Sequence, residues 1–464
     1  MAMTHEKPLL GLAPIGKFVF SHEDAMRYKA KTEALLHRLG IRFVNLDGIL
    51  PDGMVRDQKH VEPVTAYLKR QGVDALFMPH CNFGTEGACG MIAKHMNVPT
   101  LLWGPRDEAP LPDGTRLRDT LCGLFASSKV LHKLGVPFSY IENCRMDDPK
   151  LESGIRDFMG AANVAKGLRN MRIGMIGKRI DFFWTCIINE SELLERFGIQ
   201  IQPLDMIAVI KAVKARAARG RAAYREEIEA LGRKGVRFEG FATMEPVVNV
   251  LAFRDEMLYL AEEHGLTGFA VESFTSICEE LGAMVEFSLA ELSERGIPAA
   301  TETDIHGAIS SILLQRASMD GAMTFLADLT IRHPQRDDAV LLWHCGFPLG
   351  LRDPKQPATI GTHWILPGIQ PGSTHWKMQD GPLTICRFDG DRGSYSLAAG
   401  EGHTCDGPST QNVYCWMQVD NWPRWERHFI EGPFIHHVAA SYGKHAHVLR
   451  EACRFIPGLT FTAP

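Results

Sequence analysis

Short apolar runs alternate with stretches whose apolar residues recur every three or four positions through the first third of the chain. The runs at 9–14, 42–46, 75–78 and 100–103 read as strands, and the periodic stretches at 23–39 and 61–71 read as helices. That rhythm predicts a parallel sheet wrapped by helices. A helical stretch at 149–168 leads into a second such series at 171–177, 199–204, 267–271 and 297–301, closed by the runs 323–326 and 340–343. After His344-Cys345-Gly346 the texture changes: Gly, Pro, Trp and His become dense and alternation is short, as in 384–388 and 394–397. Hairpins of an antiparallel sheet fit that pattern, and a helical tail is expected over 434–453. The expected fold class is α/β, with two doubly wound parallel-sheet domains followed by a smaller antiparallel β domain with a C-terminal helix. The corresponding boundaries are 1–168, 169–346 and 347–464.

Composition narrows the function classes. A chain of 464 residues exceeds one core, and 45% hydrophobic with 23% charged residues is ordinary for a globular protein. A formal charge of -5 argues against nucleic acid as a partner, and the basic run from Lys211 to Arg221 reads as the solvated face of a helix. The 11 cysteines contain no CxxC pair, and the first residues do not read as an export signal, so a reducing, cytoplasmic setting is expected. No window approaches the roughly 18 apolar residues of a membrane span. The phosphate-loop, HExxH and GxSxG patterns are absent.

The chemistry concentrates in Ala299-Ala300-Thr301-Glu302-Thr303-Asp304-Ile305-His306-Gly307 and in Phe325-Leu326-Ala327-Asp328. Each carboxylate, Glu302 and Asp328, ends a short apolar run, the position where α/β sheets collect ligands, so the two can converge on one hard cation. Glu302 is read two ways, as a metal-binding carboxylate or as part of a helix cap. Asp328 is followed by no clear helix and needs a cation, a donor or water. His344, after the run 340–343, and His437, in Phe434-Ile435-His436-His437-Val438, supply imidazoles. Two carboxylates with one or two imidazoles suit Mn²⁺ (or Co²⁺ or Mg²⁺) better than a structural zinc, which prefers thiolates. Trp364, His375 and Trp376 lie in loops of the third region as candidate ligand contacts, although tryptophan in a β domain is commonly core. His436 is a further candidate contact.

These motifs, with Ser441-Tyr442-Gly443 after His437, the stretch 171–206 and the loop Pro79-His80-Cys81-Asn82-Phe83-Gly84-Thr85-Glu86, resemble the L-fucose isomerase and L-arabinose isomerase superfamily, closest to its fucose isomerase branch. The resemblance implies a metal-dependent aldose–ketose isomerase acting on a free deoxy-, sulfo- or simple aldose through a metal-stabilised enediolate. It assigns Glu302, Asp328 and His437 as metal ligands, Glu302 and Asp328 as the acid–base pair, and His344 as a fourth ligand or a substrate contact. It also implies a homo-oligomer, trimer or hexamer, with Lys17, Asn82, Thr85 and Glu86 of a neighbouring copy touching substrate. Two other classes stay open: a sugar-binding or sensor protein without metal, and a metal-dependent epimerase or lyase using the same enediolate. Lys17, Lys377 and Arg352 are the cations that a sulfonated sugar would call for.

Overall fold

The computed structural model describes residues 6–366 and 368–464. One compact unit comprises Glu6–Lys166 with Glu451–Pro457, and the other comprises Gly167–Arg450 with Gly458–Pro464. The first carries a five-stranded parallel sheet of β1 (Leu10–Leu12), β2 (Phe43–Val44), β3 (Ala75–Pro79), β4 (Thr100–Trp103) and β5 (Ser139–Tyr140), in the order β2-β1-β3-β4-β5. All five residues of β3 are buried, because helices cover both faces of a parallel sheet.

The second unit opens with a four-stranded parallel sheet made of β6 (Arg172–Ile176), β7 (Gln200–Leu204), β9 (Gly268–Val271) and β10 (Ala299–Ala300) in the order β10-β9-β6-β7, while β8 (Val236–Phe238) joins another sheet. The helices Met206–Arg233 and Glu245–His264 follow β7 and β8. The basic run is answered by acids: Arg216 reaches Glu256 at 2.8 Å, Arg221 reaches Glu245 at 3.2 Å and Lys214 reaches Glu280 at 2.7 Å.

A ten-stranded, mainly antiparallel sheet completes this unit. It contains β11 (Phe325–Arg332), β12 (Ala339–His344), β13 (Ala358–Gly361), β14 (Ser373–Lys377), β15 (Pro382–Asp391), β16 (Ser394–Cys405), β17 (Val413–Gln418), β18 (His437–Tyr442) and β19 (Leu459–Thr462), together with β8. A pairing of β16 with β17 closes β16-β15-β18-β11-β12-β17 into a barrel-like ring. Two expectations change here. The runs 323–326 and 340–343, read as the close of the second parallel series, are β11 and β12, paired antiparallel with each other. The tail expected as a helix over 434–453 is a central strand, β18, between β11 and β15, and only Ala446–Cys453 is helical.

The helix Ile305–Ala317 packs on β9 and β10 of the parallel sheet and on β15 and β18 of the antiparallel one. All of its residues are buried, the polar His306, Ser310, Ser311, Gln315 and Arg316 among them, so no face of it is turned to solvent. Its first turn is where the two sheets bring the candidate chemistry together. Among the described residues, no helix is long and apolar enough to cross a membrane.

Candidate metal and proton-transfer site

Glu302 sits in the turn from β10 into the helix Ile305–Ala317. The cap of that helix is Asp304, whose Oδ1 accepts from the Gly307 N–H at 2.9 Å, so Glu302 is released from the capping role. Glu302 and Thr303 both adopt left-handed backbone, with φ of 61° and 56°. Two consecutive non-glycine residues in that region cost on the order of 1–3 kcal/mol each and persist only where neighbours hold them. The neighbours are identifiable: Thr303 N–H donates to the Val271 carbonyl at 3.0 Å, its hydroxyl donates to the Lys178 carbonyl at 3.0 Å, and Thr301 and Ser273 hydroxyls bond each other. The strained turn aims the Glu302 side chain toward the barrel.

On the barrel, Asp328 stands directly opposite His437 of β18 and Trp343 of β12. Directly opposed residues of neighbouring strands share a face, which places Asp328 and His437 side by side. His437 Nε2 lies 3.2 Å from Glu302 Oε2 and 3.6 Å from Asp328 Oδ1. His344 Nε2, at the end of β12, lies 3.7 Å from Glu302 Oε1 and 4.0 Å from Asp328 Oδ1. His436 Nε2 is 3.9 Å from Asp328 Oδ1.

Glu302 Oε2 and Asp328 Oδ1 are both buried without a hydrogen-bond partner. Burial alone would raise the Glu302 carboxyl, but the adjacent His344 and His437 imidazoles hold it down at about 2. His344 is raised above its ordinary value, because Asp328 and Glu302 outweigh the burial that opposes its charge. His437 is raised further, with Asp304, Cys186 and Glu302 overcoming burial.

Behind His437, its Nδ1 lies 2.9 Å from Asp304 Oδ2. Asp304 is gripped by the wholly buried Arg387, with Nη1 at 2.5 Å from Oδ2 and Nη2 at 3.2 Å from Oδ1. Arg387 Nε also donates to Asp389 Oδ2 at 2.9 Å, and Asp389 Oδ1 lies 3.1 Å from His306 Nδ1. Burial would raise the Asp304 carboxyl, and Arg387 drives it far below the carboxylate range instead.

Two groups of side chains, among the described residues, are close enough to share an ion: Asp328 with His436 and His437, and Cys186 with Asp304 and His437. The second is unsuited to a cation, since both Asp304 oxygens are already engaged by Arg387, Gly307 and His437. The first, extended by Glu302 through its contact with His437, presents unpartnered buried carboxylate oxygens to one imidazole nitrogen. That donor set of oxygen with nitrogen fits Mn²⁺ or a similar divalent ion.

A cavity of about 510 Å³ opens onto this cluster, with Glu302, Asp328, His344 and His436 in its lining. Its walls are Phe182, Phe183, Phe274, Trp343, Ile365 and Leu366, and among the described residues no lysine or arginine lines it. His363 also lines it, and burial lowers that imidazole to about 4. Trp364 is half exposed outside the lining, Trp376 is buried in the core, and His375 Nδ1 accepts from the Asn412 N–H at 3.0 Å. Lys377 faces Asp406 at 3.7 Å, and the Arg352 guanidinium donates to the Gln356 carbonyl.

In the first unit, the Asn82 side chain is committed internally: its Oδ1 accepts from the Lys17 and Phe83 N–H groups, and its Nδ2 donates to the Lys17 and Ser21 carbonyls. Thr85 donates to the Gly16 and Arg56 carbonyls at 3.0 Å each. Lys17 lies 3.5 Å from Glu86 and over the Phe83 ring. Sequence reasoning missed Asp304, Arg387, Cys186, His363 and the phenylalanine wall. Asp304, two residues after Glu302, carried a signal as a cap. Arg387 lies far away in sequence and carried none.

Residues 11–169 match the family model for the fucose/sulfoquinovose isomerase N-terminal domain, and residues 362–458 match that for the L-fucose isomerase C-terminal domain. The sulfoquinovose isomerase of Priestia aryabhattai is 24% identical over 399 residues, covering 85% of this chain and 84% of its own. That of Alkalicoccus urumqiensis is 25% identical over 344 residues, 73% of this chain and 74% of its own. Of solved structures, an ABC transporter solute-binding protein from Burkholderia multivorans aligns at 10% identity with a TM-score of 0.18, over 58% of this chain and 81% of that one, a likeness on which nothing rests.

Proposed function

This chain belongs to the fucose isomerase family, and from that premise we propose that it interconverts a free aldose and its ketose at the Glu302–Asp328–His437 cluster with the help of a divalent ion. The observation that carries the reading is the pair of buried, unpartnered oxygens, Glu302 Oε2 and Asp328 Oδ1, that face one nitrogen of His437. Like partial charges are held in this way where a cation is to be bound.

Aldose–ketose isomerisation moves a proton between adjacent carbons, one bearing a carbonyl and the other a hydroxyl. The carbon acid is weak, so a base must be positioned on it while charge gathers on oxygen in an enediolate. A divalent ion held by Glu302, Asp328 and His437, with Mn²⁺ the best match and Co²⁺ or Mg²⁺ as substitutes, supplies Lewis-acid stabilisation of that charge. The rest falls to the chain itself. Glu302, which the neighbouring imidazoles keep ionised at neutral pH, lines the cavity in the charged form that can hold a cation or take a proton. Asp328 faces the same cavity and serves the second proton, so the two carboxylates divide the carbon-bound and oxygen-bound positions. The apolar walls exclude water from the reacting carbons.

A second copy of the chain covering the cavity is part of the same proposal. Phe182, Trp184 and Trp364 are 68%, 75% and 51% exposed, large apolar groups of the kind that interfaces bury. A sulfonated sugar, as the relatives' name suggests, would draw its cation from Lys17 of that copy, since among the described residues this chain's own lining supplies none. All 11 cysteines are free, which supports a reducing cytoplasmic setting.

The test is a panel of aldoses, sulfoquinovose included, incubated with protein stripped by EDTA and then given Mn²⁺, with products identified by NMR and the active species sized by light scattering. We expect a ketose to appear only after Mn²⁺ is restored, from an oligomer. A panel without any ketose, or an epimer as the sole product, contradicts isomerisation, and a fully active monomer contradicts the shared cavity.

A further inference from the structure

When a sugar's reacting carbons lie at Glu302 and Asp328, its other hydroxyls meet the remaining wall of the cavity, which is mostly aromatic and aliphatic. Hydroxyls taken out of water there need partners. Outside the group Glu302, Asp328, His344 and His436, the side chains in the described lining that carry a polar atom are Thr275, Trp343, Cys345 and His363. The first three are engaged. The Thr275 hydroxyl donates to Glu272 Oε1 at 2.6 Å, Trp343 Nε1 donates to the Gln411 carbonyl at 2.8 Å, and Cys345 Sγ lies 3.2 Å from His344 Nδ1.

His363 differs from them. It is 3% exposed, and its Nδ1 is buried without a hydrogen-bond partner. An unpaired buried polar group costs free energy, which a ligand in the cavity can recover. The ring is held edge-on by Trp343, at 5.9 Å between centroids and 90°, and by Phe274, at 6.5 Å and 76°. It belongs to the segment between β13 and β14, which also lends Ile365, Leu366 and Ile369 to the wall. In Thr362-His363-Trp364 it is therefore the histidine, not the half-exposed tryptophan, that reaches the cavity. Burial keeps the imidazole neutral at neutral pH, so the ring offers one N–H and one lone pair. A hydroxyl, donor and acceptor at once, complements either tautomer, whereas an anionic group would meet no positive charge there.

We infer that His363 is a specificity residue of this cavity: it hydrogen-bonds a sugar hydroxyl beyond the two reacting carbons and selects aldoses that carry that hydroxyl. The inference rests on the isomerase reading above and is independent of which ion serves it.

Steady-state kinetics of wild type, His363→Phe and His363→Gln test it on the aldoses of the panel that are turned over, sulfoquinovose and L-fucose included in that panel. Each is compared with analogues lacking the hydroxyl on the third, fourth or fifth carbon. Phenylalanine keeps a ring between Trp343 and Phe274 and removes both nitrogens, and thermal midpoints check each fold. In wild type, one of the analogues should lose about tenfold in kcat/KM, as expected for one hydrogen bond. His363→Phe should lose about as much on the parent sugar, through KM rather than kcat, and should treat parent and analogue alike within about threefold. His363→Gln should regain part of the discrimination. A folded His363→Phe with the KM and the discrimination of wild type overturns the inference and leaves isomerisation standing, as does a fall in kcat alone. Wild type that turns over no aldose of the panel overturns both. Should neither variant fold, a wild-type crystal soaked with the alditol of the sugar turned over decides: a hydroxyl within hydrogen-bond distance of a His363 ring nitrogen supports the assignment, and a sugar out of contact with His363 refutes it.

Discussion

Glu302→Gln yields a folded protein whose ketose formation is reduced about 1,000-fold or more, within the range that general acid–base groups contribute. The amide has the size of the carboxylate but neither its charge nor its basicity. Proton abstraction and cation binding therefore fail together. Folding is expected to survive because Glu302 Oε2 makes no hydrogen bond in the native protein and the amide keeps the carboxylate's size, although the charge contacts with His437 and His344 are lost. The turn that carries it is held through Thr303 and Ser273, which the substitution leaves untouched. Steady-state turnover beside a thermal melt checks both halves. Near-normal turnover would remove Glu302 from the mechanism.

The largest stability effect belongs to Arg387→Met. Arg387 is fully buried and holds Asp304 and Asp389 at once. Taking away one partner of a buried ion pair leaves an uncompensated charge and costs about 3–5 kcal/mol. The damage also reaches the site, because Asp304 caps the helix Ile305–Ala317 and orients His437. The thermal midpoint should fall steeply in Arg387→Met and recover in part in Arg387→Met/Asp304→Asn, where the Asp304 charge is gone and that of Asp389 remains. A wild-type midpoint in the single variant would show that the pair does not support the fold.

The parallel sheets were legible because their strands are uniform apolar runs separated by helices of clear period, as at 75–78 and 100–103. The strand β18 was not. Ala439 and Ala440 favour helices in isolation, yet here both are buried in a strand between β11 and β15. Asp328 reads as the end of an apolar run but sits inside β11, because the strand continues to Arg332 past the point where its residues become exposed. Glu302 and Asp328 could be found from sequence as acids attached to apolar runs. Their meeting with His437 depends on strand register across more than a hundred residues, which no local pattern encodes. The same holds for Arg387, whose pairing with Asp304 spans 83 positions.

The central claim is that Glu302, Asp328 and His437 hold one divalent ion. A crystal grown with Mn²⁺ and measured at the manganese absorption edge tests it most directly. The account predicts a single anomalous peak bonded to carboxylate oxygens of Glu302 and Asp328 and to His437 Nε2, beside the phenylalanine-walled cavity. A peak among Cys186, Asp304 and His437, or no peak at this cluster in a protein that is nonetheless active, would contradict it.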